Sequence, residues 1–454
     1  MKRRPLALAL LSVTVLGAAM MSSCKKDATT SAPRSVSAPG VIPSNPTLSG
    51  VLGTGHTVKD TIHLVASTAW HLSGLVYVDS SDVLIIDAGT KIYGNLSSSS
   101  SVPGGGLVIT RGAKILAEGT ESSPIVFTSA ATTPASGDWS GVVILGNAST
   151  NHTGRVQVEG IPTNPPADAT FGGSTGTNDA DNSGILKYVR IEYGGYELST
   201  DNEINGLTLA GVGSGTTIDY VEVFKSKDDS FEWFGGTVNA SHLLSIDGLD
   251  DMFDTDNGYR GTISYALGVS DTTRADKSQS NGFESDNNAT GTSATPLTNP
   301  VYNYVTIVGV SNVWTSLKTN GAPSGTGKYG RAAHLRRNAR YTINNSIFLG
   351  FYYGVSRDTQ FGNAQGTFTN TYAEAFSYPF LTEVNGTSQA AVTPAGTQGS
   401  SVTNFANGYI NLADPFDRSS ISNFETTFAS PDGGTAGAFA NGNWASSGTW
   451  VRLR

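Results

Sequence analysis

Three short segments of the chain carry acids at matching places. Asp228-Asp229-Ser230-Phe231-Glu232-Trp233-Phe234, Asp250-Asp251-Met252-Phe253-Asp254-Thr255-Asp256-Asn257 and Ser280-Asn281-Gly282-Phe283-Glu284-Ser285-Asp286-Asn287 each set a phenylalanine beside a carboxylate. Phe231 and Phe253 are 22 residues apart, and Phe253 and Phe283 are 30 apart. On successive coils of one stack, Glu232, Asp254 and Glu284 would form a column with neighbours about 4.8 Å apart. Asp256 and Asp286 would form a second. Like charges at that separation repel by roughly 3 kcal/mol per pair at an effective dielectric of about 20. Something must offset this. Calcium suits such a cluster, because it takes carboxylate, amide and backbone oxygens in flexible geometry, and Asn257 and Asn287 would add amide oxygens. Two other arrangements satisfy the same residues. One is a solvated acidic face with asparagines bonding along the stack. The other brings Arg336 beside the acids, if Leu335 of His334-Leu335-Arg336-Arg337-Asn338 joins the phenylalanine column.

A second oxygen-rich segment is Asp179-Ala180-Asp181-Asn182-Ser183-Gly184, whose spacing matches the start of calcium loops. Its twelfth position is Arg190 rather than a bidentate acid, so it is not an EF-hand, and Asp, Asn, Ser and Gly are also ordinary turn formers. For an organic ligand, Asp228, Asp250, Trp233, Tyr259 and Arg260 are the candidates, with Tyr352 and Tyr353 as further rings able to stack on sugars. Acids on successive coils beside a basic residue would also serve acid–base cleavage of a polysaccharide. Repetition argues against that, since a repeated acid belongs to the coil and an active site needs asymmetry. Gly172-Gly173-Ser174-Thr175-Gly176 fits G-x-S-x-G but sits in a polar loop rather than a strand-to-helix elbow. The histidines show no H-E-x-x-H spacing.

The elements that must position these residues are short strands. Leu75–Val78, Val83–Ile86, Leu107–Ile109, Ile125–Phe127, Leu186–Tyr193 and Ile218–Val223 are β-branched or alternating runs bounded by Gly, Asp and Ser. Gly89-Thr90-Lys91-Ile92 recurs 23 residues on as Gly112-Ala113-Lys114-Ile115. With 54 glycines and 14% charged residues, the composition favours many strands and turns over helices. A period near 22 residues with a fixed apolar position is the mark of a stacked solenoid. Asn151–Ser183 reads as a polar excursion, and 288–299 and 313–331 as further insertions. Asn441–Arg454, with Trp444 and Trp450, is expected to close the open end of the stack.

Residues 1–23 read as a leader, with Lys2, Arg3 and Arg4 before an apolar run too short to span a membrane. The small residues before Cys24, the single cysteine, resemble the lipobox of bacterial lipoproteins, which implies acylation of Cys24. Residues 24–49 form a Ser-, Thr- and Pro-rich tether and 50–454 one domain. Losing the leader takes the formal charge from −9 to about −12, which disfavours nucleic acid as a partner. Leu107–Thr120 and Pro124–Ser129 look like the first coils of right-handed parallel β-helix proteins. Asp138–Ala148 and the acidic triplet are similar to poorly characterised lipoproteins of Gram-negative bacteria. The resemblance implies an all-β right-handed parallel β-helix anchored by lipid at the outer membrane. The expected role is a surface scaffold that binds glycan or a cell-envelope protein, with calcium fixing the acidic columns; the alternatives are a polysaccharide lyase or glycoside hydrolase and a purely structural envelope protein.

Overall fold

Strands of the chain return to the same three flanks again and again, pairing in parallel from one coil to the next, except that Phe380–Val384 is followed by an antiparallel partner, Thr387–Ala391. The computed structural model describes residues 40–53, 59–99, 102–166, 168–199, 202–312, 327–384, 386–403, 405, 410, 412–425, 435–446 and 449–454. Cys24, the leader and most of the tether lie outside the described residues, as do residues 313–326 of one expected insertion. The described elements are strands, apart from one 3-10 turn at Ile421–Phe424. No described helix is long and apolar enough to cross a membrane. The architecture is a parallel β-helix.

The first flank carries the three acidic segments. Leu207–Ala210, Phe231–Phe234, Phe253–Asp256, Phe283–Ser285, Arg331–Leu335, Tyr353–Asp358 and Phe380–Val384 follow one another along it. Phe231 pairs with Phe253 and Phe253 with Phe283, as the spacing predicts. Their rings meet at centroid distances of 5.5 and 5.9 Å inside the coil. The next rung corrects an expectation: Ala333, not Leu335, stands opposite Phe283. The 23-residue recurrence of Gly89 and Gly112 is likewise one of turn chemistry. Lys91 pairs with Val126 and Lys114 with Val83, so the two glycines turn different corners.

The other two flanks are joined by strands bent at one residue, such as Thr217–Phe224, Ala240–Ile246, Thr262–Val269 and Val301–Val308. The bend residues Tyr188, Tyr220, His242, Tyr265 and Tyr304 all have φ between 50° and 57°. Bulky side chains avoid that region, and here ring stacking offsets the cost. Successive rings lie 4.4, 4.2, 5.2 and 5.2 Å apart and within 18° of parallel. On later coils the corner passes to Asn345 and Asn370, which tolerate left-handed backbone and bond along the stack.

The core is double. Inside the coil lie Leu207, Phe231, Phe253, Ile263, Phe283 and their stacked equivalents. Outside the third flank, Leu244, Ile246, Leu267, Val269, Val308 and Leu349 are equally buried, beneath Ile421, Phe424, Phe439 and Trp450. The chain's last segment therefore does not close the end of the stack, as expected, but runs back along its side. Trp450 meets the rings of Tyr188 and Tyr220 edge-on, each at 5.8 Å. The backbone N–H of Arg452 donates to the buried carboxylate of Glu222 at 2.9–3.0 Å, and its guanidinium pairs with Glu192.

Candidate functional site

Alternation along the first flank decides which side chains face out. Phe231, Phe253 and Phe283 point in, so Glu232, Asp254 and Glu284 point out, and so do Asp256 and Asp286. The acids just before each strand have a structural task. Asp229 Oδ1 accepts from the backbone N–H of Asp251 at 2.8 Å, and Asp251 Oδ1 from that of Asn281 at 2.6 Å. Asn281 Oδ1 accepts from the N–H of Arg331 at 2.8 Å. Each side chain thus caps the next coil, which accounts for an acid or amide recurring at this place.

Above the outward acids, loops build a cleft of about 600 Å3. Glu159 comes from the Asn151–Ser183 excursion, Glu197 and Glu203 from a small hairpin, and Asp276, Lys277 and Ser278 from the loop before Phe283. With Asp228, Asp229, Glu232, Asp250, Asp251, Asp254 and Glu284, the lining holds eleven acids and two lysines. Lys227 Nζ is 2.6 Å from Glu197, and Asp250 accepts from the Ser278 hydroxyl at 2.6 Å. Three overlapping triads bring carboxylate oxygens within 4.8 Å of one another: Asp228–Asp229–Asp250, Asp229–Glu232–Asp254 and Asp251–Asp254–Glu284. Asp254 Oδ1 is buried with no hydrogen-bond partner. So is Oδ1 of buried Asn205, whose amide nitrogen donates to Glu232.

This crowding shows in the acidities. Burial, reinforced by Glu159 and Asp276, pushes Asp228 up to about 8. Burial with Asp228 and Glu197 nearby takes Glu203 to about 7. Burial, then Glu159 and Asp254, holds Glu232 well above the usual carboxylate range. Carboxylates so placed hold protons or cations, and their oxygens suit a hard divalent ion such as calcium.

One coil further the balance reverses. Arg336 donates to Glu284 and, at 2.9 Å, to Asp286, which Arg337 also meets at 2.6 Å. Arg331 grips Glu383 with two bonds of 2.7 Å, and buried His334 lies 3.6 Å from Glu284 and 3.4 Å from Asp358. The arginine arrangement therefore holds for these coils, although Ala333 rather than Leu335 sets the register. The coils of Asp228, Glu232, Asp250 and Asp254 receive no such partner among the described residues.

Several expected ligands are engaged elsewhere. Asp256 caps the N–H of Asn257, a buried turn residue with φ 55°. Asn287 holds the 288–298 loop, donating to the carbonyls of Thr292 and Ala294 and accepting from the N–H of Thr298. Asp179 is bonded by Ser149 and Arg260, and Asp181 by the N–H of Asn147, so this segment staples a loop. Trp233 and Tyr259 are fully buried and 5.6 Å apart, which corrects the expectation that they face a ligand. Arg260 is tied to Asp179. Asp228 and Asp250 do line the cleft. Sequence reasoning missed Glu159, Glu197, Glu203, Asp276 and Lys277, which reach the site from loops with no periodic signal, and the buried His334–Asp358–Glu383 group.

Among solved structures, the chain is similar to the Agl-KA catalytic domain, with 11% identity and a TM-score of 0.34 over 76% of this chain. It spans 63% of the length of that one. No curated protein matches the chain. Residues 55–438 match the family described as the pectate-lyase-like beta helix domain. With most of its length in that match and its strands coiled in parallel, the chain belongs to the pectate-lyase-like β-helix domain family.

Proposed function

We propose that this protein binds glycan at the acidic cleft, and that divalent cations of the calcium class mediate the contact. The observation that supports this best is the cleft's excess of acids: eleven line it with two lysines, and among the described residues only Glu284 of the eleven forms an ion pair with an arginine. Calcium at the Asp228, Glu232, Asp250 and Asp254 oxygens would relieve the repulsion and leave coordination positions open for sugar hydroxyl or carboxylate oxygens. In the same reading Cys24 carries the lipid that anchors the body to the outer membrane. A full-length protein that gains no acyl mass on expression in a Gram-negative host would remove the anchor.

A second reading has one feature in its favour. The cleft is open and asymmetric, with Lys227 and Lys277 among its acids, as cleavage of a polysaccharide would require. One experiment addresses both. Calorimetric titration of a panel of neutral and uronic-acid oligosaccharides, in calcium and in EDTA, should show binding in calcium alone, with Asp254→Asn at least about tenfold weaker. Equal binding in EDTA, or none to any probe, would overturn the proposal. Shortened products recovered after titration would establish the enzyme reading instead.

A further inference from the structure

Beside the cleft lies a smaller cavity of about 260 Å3, lined by Arg336, Arg337, Asp358, Gln360 and Phe361. It sits one coil further along the outer side of the first flank. The two hollows share a wall, since Arg336 lines the small one and donates to Glu284, which lines the cleft. Its lining is mixed in a specific way. Two planar guanidiniums offer donors, the Gln360 amide oxygen offers an acceptor, and Phe361 presents a phenyl ring with 49% exposure. The buried Asp358 carboxylate is already engaged by the Gln360 backbone N–H and His334. The Arg337 Nε–H is buried without a hydrogen-bond partner, although its Nη1 is committed to Asp286. Fixed fork donors, an acceptor within reach and an open aromatic face are together what a pyranose ring needs: hydroxyls on one side and a C–H face on the other. The local charges of Arg336 and Arg337 are already met by Glu284 and Asp286, which favours an uncharged sugar over an anion.

We infer that this cavity is a subsite for one neutral sugar ring of the glycan that occupies the cleft, so that the bound chain lies along the helix axis across the Arg336–Glu284 pair. The inference rests on the glycan reading above. Phe361 is the residue to change, because its exposed ring can be lost without opening the core. In calcium, Phe361→Ala and wild type would be titrated with neutral and uronic-acid oligosaccharides of two and six units. The expected result is that Phe361→Ala binds the six-unit ligand roughly three- to tenfold more weakly, the worth of one ring stack. Two-unit binding at the cleft and the melting temperature should be unchanged. Equal six-unit affinity for both proteins would overturn the subsite while leaving cleft binding standing. Wild type that binds neither length would overturn both.

Discussion

Between Asp254 and Glu284, one coil apart, the acidic flank changes character. Arg336 reaches Glu284 and Asp286 from the coil above, and no described side chain does the same for Asp254, whose Oδ1 is buried and unpartnered. Arg336→Gln would move that boundary by a coil. It would leave the largely buried Glu284 carboxylate without its guanidinium, while Asp286 keeps Arg337, at about 3 kcal/mol in the absence of metal. Added calcium should then raise the melting temperature more in Arg336→Gln than in wild type, since the Glu284 oxygens become available beside Asp254 and Asp251. Thermal melts in calcium and in EDTA would show this, and equal calcium increments would contradict it.

Elements are shaped by how many of their sides are buried. Strands such as Ala240–Ile246 and Thr262–Val269 are apolar on both faces because the coil interior takes one and the returning C-terminal segment takes the other. Trp450 anchors that segment with no exposed surface. Trp450→Ala should cost about 3–5 kcal/mol in denaturant unfolding; a loss under about 1 kcal/mol would mean the segment is not part of the cooperative unit. How much could be read beforehand follows the same logic. Phe231, Phe253 and Phe283 announced the stack because one inward place kept one residue type. Ala333 broke the series and shifted the expected register by two, yet Arg336 still arrived beside the acids because both registers leave it facing out. The second core was hidden, since a run such as Leu243-Leu244-Ser245-Ile246 fits one-sided burial in a different register equally well. The cleft was half legible: its floor repeats, but its walls come from loops whose meeting the chain records nowhere in its periodicity.

For the whole molecule, crowded acids should make stability depend on pH and, on the proposed reading, on metal as well. Asp228 at about 8 and Glu203 at about 7 are raised above their unfolded values of about 4. Their stabilising contribution is thus complete below about pH 4 and lost as pH climbs through 7 to 8. Metal-free protein should melt at a lower temperature at pH 8 than at pH 5, a trend opposite to that of a fold held by paired carboxylates. A cation bound in the cleft would replace the protons that high pH removes. The most direct measurement is the melting temperature at pH 8 in EDTA and in calcium, for wild type and Asp254→Asn. The prediction is a calcium-dependent rise of several degrees in wild type, larger than at pH 5 and mostly lost in Asp254→Asn. Superimposable melts with and without calcium at pH 8 would contradict a cation-binding cleft.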